Sequence, residues 1–201
     1  LLGKQFLVVT SDDVKEYFLY HNQGQYENLF IQKAQCYSLE KVVCGYQLFL
    51  AVEKKDIVLF HKILNQYQCL IDINVRGYTS LHLAILKLDE EEKDEIYLKM
   101  ISELLLANAN PNLFDKHGKS TLHYAAEEGK ASLVQLLLKY KADPNLKSST
   151  GYLPLELMAE HNPDPKIFHM LLPVTKMDGQ DKLIQAIRLK DISLIQELFQ
   201  Q

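Results

Sequence analysis

The chain has 201 residues, 47% of them hydrophobic and 24% charged, with a formal net charge of -4. That is enough to bury a sizeable core, while the acidic balance excludes the general attraction that carries nucleic-acid or anionic-membrane binding. No apolar run reaches the length of a membrane span, and no basic-then-apolar secretion signal opens the chain.

Because the first residue is Leu1, the chain is expected to be a piece of something longer, working by default in the cytoplasm. Three cysteines, Cys36, Cys44 and Cys69, have no Cys-x-x-Cys spacing and fit neither a disulfide framework nor a zinc site. They are expected to be small buried or half-buried thiols.

Residues 1–43 open with a strand-like run at Phe6–Leu7–Val8–Val9. Thr10 with Asp13 then resembles a capping box for a helix over 14–21, and Tyr26, Leu29, Phe30 and Ala34 continue an apolar period. This segment is expected to be a helical N-terminal cap or the end of an upstream domain.

From residue 44 the chain repeats. With a glycine as origin, a leucine follows four residues later and a small residue seven later: Gly77, Leu81, Ala84; Gly118, Leu122, Ala125; Gly179, Leu183, Ala186. Gly151 and Leu155 obey the rule with Met158 in the small site, and Leu48 and Ala51 obey it 33 residues before Leu81 and Ala84. Five units result, at 44–76, 77–117, 118–150, 151–178 and 179–201. Each has a second apolar-periodic half, as in Ile57–Leu64, Ile101–Leu106, Ala131–Leu138, Ile167–Leu172 and Ile192–Phe199. The spacing predicts helix, tight turn, helix and extended loop in every unit, with Asn110–Pro111–Asn112 and Asp143–Pro144–Asn145 starting loops because proline cannot continue a helix.

Two length changes interrupt the period. Gly77 to Gly118 is 41 residues, and the excess lies between Leu86 and Met100. Asp89 is expected to cap a second helix lengthened by about two turns, with an acidic tip favoured by the macrodipole. Gly151 to Gly179 is 28 residues, with irregular ground around Asn162–Pro163–Asp164–Pro165 and Pro173. Neither change is expected to break the stack. Leu104, Leu105, Leu106, Leu136, Leu137 and Leu138 are all expected in the core.

Gly118–Lys119–Ser120–Thr121–Leu122–His123–Tyr124–Ala125–Ala126, with Ala142–Asp143–Pro144–Asn145, resembles the ankyrin repeat. The family pattern is Gly-x-Thr-Pro-Leu-His-x-Ala-Ala, a glycine turn, Ile-Val-x-Leu-Leu and Ala-Asp-x-Asn, and the resemblance covers about residues 44–201. The family's proline survives only as Pro154, and its histidine becomes Phe49, Glu156 and Ile184 in the outer units. The resemblance implies an all-α solenoid of stacked helix-turn-helix units that binds other proteins. It also implies that His82 and His123 are structural, their rings bonding backbone and hydroxyl groups that tie adjacent loops.

Nothing in the chain assembles a reaction. Gly77, Gly118 and Gly151 stand alone in turns, with no phosphate-cradling motif. No His-x-x-x-His pair or thiol partner suggests a metal, and no cofactor, metal or enzymatic activity is expected. Mapped from the ankyrin pattern, the partner-facing positions are Arg76, Tyr78, Lys116, His117, Lys119, Glu127, Glu128, Thr150, Tyr152 and His161, a set rich in hot-spot residue types.

The expected partner is a protein. One alternative is that the repeats recruit substrate for, or pack on, an enzyme elsewhere in a larger chain. Another makes Asn112 and Asn145 hydroxylation sites, as the family implies. The divergent, interrupted array is similar to those of effectors that intracellular bacteria deliver, which implies a host protein as partner and the host cytosol as workplace.

Overall fold

A computed structural model describes residues 39–66, 70–88 and 94–190, with Ile192, Ile195 and Gln196 beyond them. The expected strand at 6–9, the helix over 14–21, Cys36, Cys69 and Asp89 lie outside the described residues. Among the described residues the fold is all-α. Its helices are α1 Leu39–Glu53, α2 Ile57–Gln66, α3 Ser80–Lys87, α4 Glu95–Leu106, α5 Thr121–Glu127, α6 Ala131–Lys139, α7 Pro154–His161, α8 Pro165–Leu171 and α9 Gly179–Arg188. Position 44, the first of the sequence repeat, falls inside α1.

The helices pair as α1/α2, α3/α4, α5/α6 and α7/α8. The first helices also stack in series, α1 on α3, α3 on α5, α5 on α7 and α7 on α9, while α2 packs on α4 and α6 on α8. One apolar cluster runs the length of this series from Cys44 to Ala186. It contains Leu48, Leu81, Leu122 and Leu155, and the small-site residues Ala51, Ala84, Ala125, Met158 and Ala186. The 33-residue rule therefore marks the spine of the molecule. A satellite cluster of Tyr46, Phe49, Ile73 and Val75 sits under the first loop.

The turn between the two helices of a unit needs a left-handed residue. Gly129 supplies it at φ 72°, while Lys55 and Lys190, at the matching positions of the first and fifth units, take φ 57° and 55°. A lysine there is strained by roughly 1 kcal/mol relative to glycine.

The helix starts are built locally. Asp164 accepts hydrogen bonds from the backbone N–H groups of Lys166 and Ile167 at the start of α8. Pro154 and Pro165 occupy the first position of α7 and α8, where no N–H is missed. Caps of this kind restart the helices across the short unit between Gly151 and Gly179.

The inserted unit differs from expectation. Its second helix, α4, starts at Glu95 and is capped by Asp94, which accepts from the N–H groups of Ile96 and Tyr97. Lys55 pairs with the same carboxylate and holds it below the usual carboxylate range. The helix has 12 residues against 9 in α6, so the expected two-turn extension is not formed; Asp94 fixes the start instead.

The leucine runs also divide. Leu104, Leu105 and Leu137 are buried, Leu136 and Leu138 are half-buried, and Leu106 is 66% exposed. A helix turns 100° per residue, so three consecutive leucines cannot all face one seam.

Burial at one repeat position changes along the series of first helices. Eight residues after each unit's glycine stand Ile85, Ala126, Ala159 and Ile187. The first three are at most 5% exposed, whereas Ile187 is 55% exposed. Ile85→Ala should therefore cost roughly 2–5 kcal/mol through the cavity it leaves, and Ile187→Ala less than about 0.5 kcal/mol. Urea unfolding of the two variants checks this; equal losses would show that burial does not follow the register.

Candidate functional site: a laced ridge of loop tips

The first three loops between units fold back on themselves before the next helix. Val75 and Tyr78 exchange backbone hydrogen bonds of 2.8 and 3.0 Å, and the N–H groups of Asp115 and Ser148 donate to the carbonyls of Lys119 and Tyr152 at 3.0 and 2.9 Å. A polar side chain three residues before the glycine secures each of these three tips. Asn74 Oδ1 accepts from Gly77 N–H at 2.9 Å, and Asp115 Oδ1 accepts from the N–H groups of His117 and Lys119 at 2.9 and 2.8 Å. Ser148 Oγ accepts from Tyr152 N–H at 3.2 Å. These are Asx- and Ser-type turns in which a side chain imitates a backbone acceptor.

The tips touch one another. Lys116 N–H donates to the Gly77 carbonyl at 2.8 Å, and the Ser149 hydroxyl donates to the His117 carbonyl at 2.5 Å. Glycine is needed at Gly77 and Gly118 for two reasons. Both have positive φ, at 87° and 65°, and an added Cβ would stand 2.5 Å from Lys116 Cβ or 2.8 Å from the Ser149 nitrogen. Three loops thus form one ridge.

Buried imidazoles fasten the ridge to the helices. His82 and His123 are both fully buried. His82 Nε2 donates to the Lys119 carbonyl and His123 Nε2 to the Tyr152 carbonyl, each at 3.2 Å. A carbonyl can only accept, so each neutral ring carries its proton on Nε2. The Nδ1 atoms then accept, from the Thr79 hydroxyl at 2.8 Å and from Ser120 N–H at 3.1 Å. Burial holds both imidazoles below the ordinary value of 6.5, outweighing Asp115 beside His82 and the Tyr152 carbonyl beside His123.

In α7, Glu156 keeps half of this device: its Oε2 accepts from Leu153 N–H at 2.7 Å. Farther along the loops, Asn112 Oδ1 accepts from Asp143 N–H at 2.7 Å and its Nδ2 donates to the Lys141 carbonyl at 3.0 Å. Asn145 does the same one unit on, with Lys176 and Val174.

The ten positions expected from the sequence fall into groups. Tyr78, Lys116 and His117 come together: the Lys116 ammonium lies 4.9 Å from the Tyr78 ring centroid, and the Tyr78 hydroxyl is 3.2 Å from His117 Nε2. Lys119, Glu127 and His161 form a second group, with Lys119–Glu127 at 2.5 Å and His161–Glu127 at 3.8 Å. Tyr152 and Thr150 are exposed on the third tip, with Thr150 Oγ1 2.8 Å from Ser148 Oγ. Arg76 reaches back to Glu53 at 3.2 Å. Glu128 pairs with Lys130 and so turns toward the stack.

Two polar features escaped the sequence reading. Lys130 is 2% exposed and donates to the Ile85 and Leu88 carbonyls at 3.3 and 3.0 Å, closing the free C-terminus of α3 from the next unit. Asp115 also accepts the Tyr124 hydroxyl at 2.5 Å, and burial, followed by that bond, drives the phenol far above its ordinary value. Among the described residues no trio of His, Cys, Asp and Glu is placed to hold a metal, and no helix is long and apolar enough to cross a membrane.

The family model for ankyrin repeats (many copies) matches residues 104–158, the segment that holds His123, Lys130 and Asn145. That segment is made of ankyrin repeats. The chain is similar to the chicken nuclear factor NF-kappa-B p105 subunit, 41% identical over 83 residues that cover 39% of this chain and 8% of that protein. It is also similar to the putative ankyrin repeat protein FPV024 of fowlpox virus, 31% identical over 52% of this chain and 17% of that protein. A third is the putative ankyrin repeat protein PAE1861 of Pyrobaculum aerophilum, 41% identical over 32% of this chain and 23% of that protein. The matched region is thus under a quarter of each relative's length. Ankyrin repeats are in general protein-interaction modules, and the ridge is where this chain presents side chains its core does not use.

The histidine fastening has a pH signature. Burial holds both folded rings below the ordinary value of 6.5, so as pH falls through that value the unfolded chain binds more protons than the folded one. Their contribution is complete above about pH 6.5 and is lost as pH falls below it. A His82→Gln/His123→Gln variant should show a smaller fall in Tm between about pH 7.5 and about pH 5.5 than the parent. An unchanged fall would mean that these rings do not link folding to protons.

Proposed function

We propose that the laced ridge and the adjoining ends of α5 and α7 form a non-catalytic surface that binds a protein partner. The lacing carries this reading: tips bonded to one another at Gly77–Lys116 and His117–Ser149 hold exposed side chains in place before any partner arrives. A preformed surface spends little conformational entropy on binding. Tyr78 and Tyr152 supply rigid amphipathic rings, flanked by Lys116, His117, Lys119, Glu127, Thr150 and His161, and such rings dominate interface energetics. Arg76 and Glu128, drawn into ion pairs with Glu53 and Lys130, serve the edges of the surface.

A second reading draws on two further relatives that are kinases by name. The probable serine/threonine-protein kinase DDB_G0267566 of Dictyostelium discoideum is 28% identical over 17% of its length, and the tyrosine-protein kinase Shark of Drosophila melanogaster 33% over 10%. They favour a role in which the repeats recruit substrate for, or pack on, an enzyme within a longer chain.

The test is capture of partners from host-cell and bacterial lysates by the chain and by a Tyr78→Ala/Tyr152→Ala variant with an unchanged melting curve. The variant should retain less than about a tenth of the specifically captured partner, equivalent to about 1.4 kcal/mol or more. Capture from the host lysate alone supports a delivered effector, and undiminished capture by the variant removes the ridge from the interface.

A further inference from the structure

The ridge differs in charge from the rest of the molecule. The chain carries -4 overall, but the three tip segments 74–78, 114–119 and 147–152 hold Arg76, Lys116, Lys119 and Lys147 against one carboxylate, Asp115. Asp115 is buried, and its oxygens are occupied by two backbone N–H groups and the Tyr124 hydroxyl. The cations stand on tips laced together by the Lys116–Gly77 backbone bond and the Ser149 hydroxyl–His117 carbonyl bond, so their backbones are held side by side as those of separate loops would not be. Lys116 is exposed and holds its ammonium over Tyr78, leaving N–H groups for a second acceptor, and Lys147 is exposed on the next loop. Arg76 and Lys119, by contrast, are engaged with Glu53 and Glu127.

We propose that this ridge takes an acidic peptide segment, Asp- or Glu-rich with apolar residues interspersed. Its carboxylates would meet Lys116 and Lys147, and its apolar side chains would lie on Tyr78 and Tyr152. This rests on the ridge being the binding surface and names the chemistry of what it binds. A protein segment fits better than a nucleic acid. Glu53, Glu127 and Glu128 border the ridge, and a continuous polyphosphate would run against them, whereas a peptide can place its charges selectively. The overall negative charge works in the same direction.

Fluorescence anisotropy of the whole chain with three labelled probes tests this: a Glu decamer interrupted by two leucines, the same peptide with Gln for Glu, and a ten-nucleotide oligothymidylate. The Glu peptide should bind, weaken by about tenfold or more between about 50 and about 200 mM salt, and weaken again by about tenfold in Lys116→Glu/Lys147→Glu. Lys116→Gln/Lys147→Gln should fall between that variant and the parent, and the salt series needs no variant at all. Equal binding of the Gln peptide, absence of salt dependence, or tighter binding of the oligothymidylate overturns the acidic-segment proposal. Should the Tyr78→Ala/Tyr152→Ala variant still lose its captured partner while the Glu peptide fails to bind, only the partner's chemistry is wrong; if neither responds, the ridge itself is.

Discussion

A helix of seven or eight residues does not hold itself in water, because nucleation costs more than so few hydrogen bonds return. Helices α3, α5 and α7 are that short, so each exists only because its neighbours cover its apolar stripe. Leu48, Leu81, Leu122 and Leu155 recur 33, 41 and 33 residues apart and meet in one cluster. Every other feature of the molecule follows from this stacking. It brings successive loops side by side, and that is what allows Lys116 to reach Gly77, Ser149 to reach His117, and His82 to reach the Lys119 carbonyl.

The division of labour between buried and exposed residues leaves the ridge without a packing duty. Stability is assigned to leucines, alanines and two neutral histidines that face inward. The tips, fixed by Asn74, Asp115 and Ser148 through bonds to their own backbone, are free to carry any side chain that does not disturb glycine's left-handed turn. Tyr78, Lys119 and Tyr152 occupy the same position in successive tips, yet their chemistry differs. Position is set by the repeat, and character is left free by the fold.

Much of this was legible in the sequence because the repeat is a local pattern copied in register. Leucine at four from each glycine, and a small residue at seven from all but Gly151, correspond to packing duties, so the pattern located the spine, while the resemblance to the ankyrin repeat pointed to the fastenings at His82 and His123. What escaped lies in contacts between units. Lys130 reads as an ordinary surface lysine; its burial depends on carbonyls of Ile85 and Leu88 more than forty residues earlier. Leu106 reads as part of a leucine run, and only the seam chosen by α4 turns it outward. The insertion read as added helix because Asp89 and its acidic neighbours suit a helix start, but Asp94, paired with Lys55 from the previous unit, holds the cap. Among the candidate site residues, the sequence placed Tyr78, Lys116 and His117 on neighbouring tips without showing that they touch, and it did not show that Glu128 turns toward Lys130.

The central claim is that short helices share one spine and so stand or fall together. Hydrogen exchange on Leu122→Ala, read helix by helix, tests it most directly. Protection should fall in α3 and α7 along with α5, since each depends on the leucine of its neighbour. Loss of protection confined to α5, with α3 and α7 as protected as in the parent, would contradict the account.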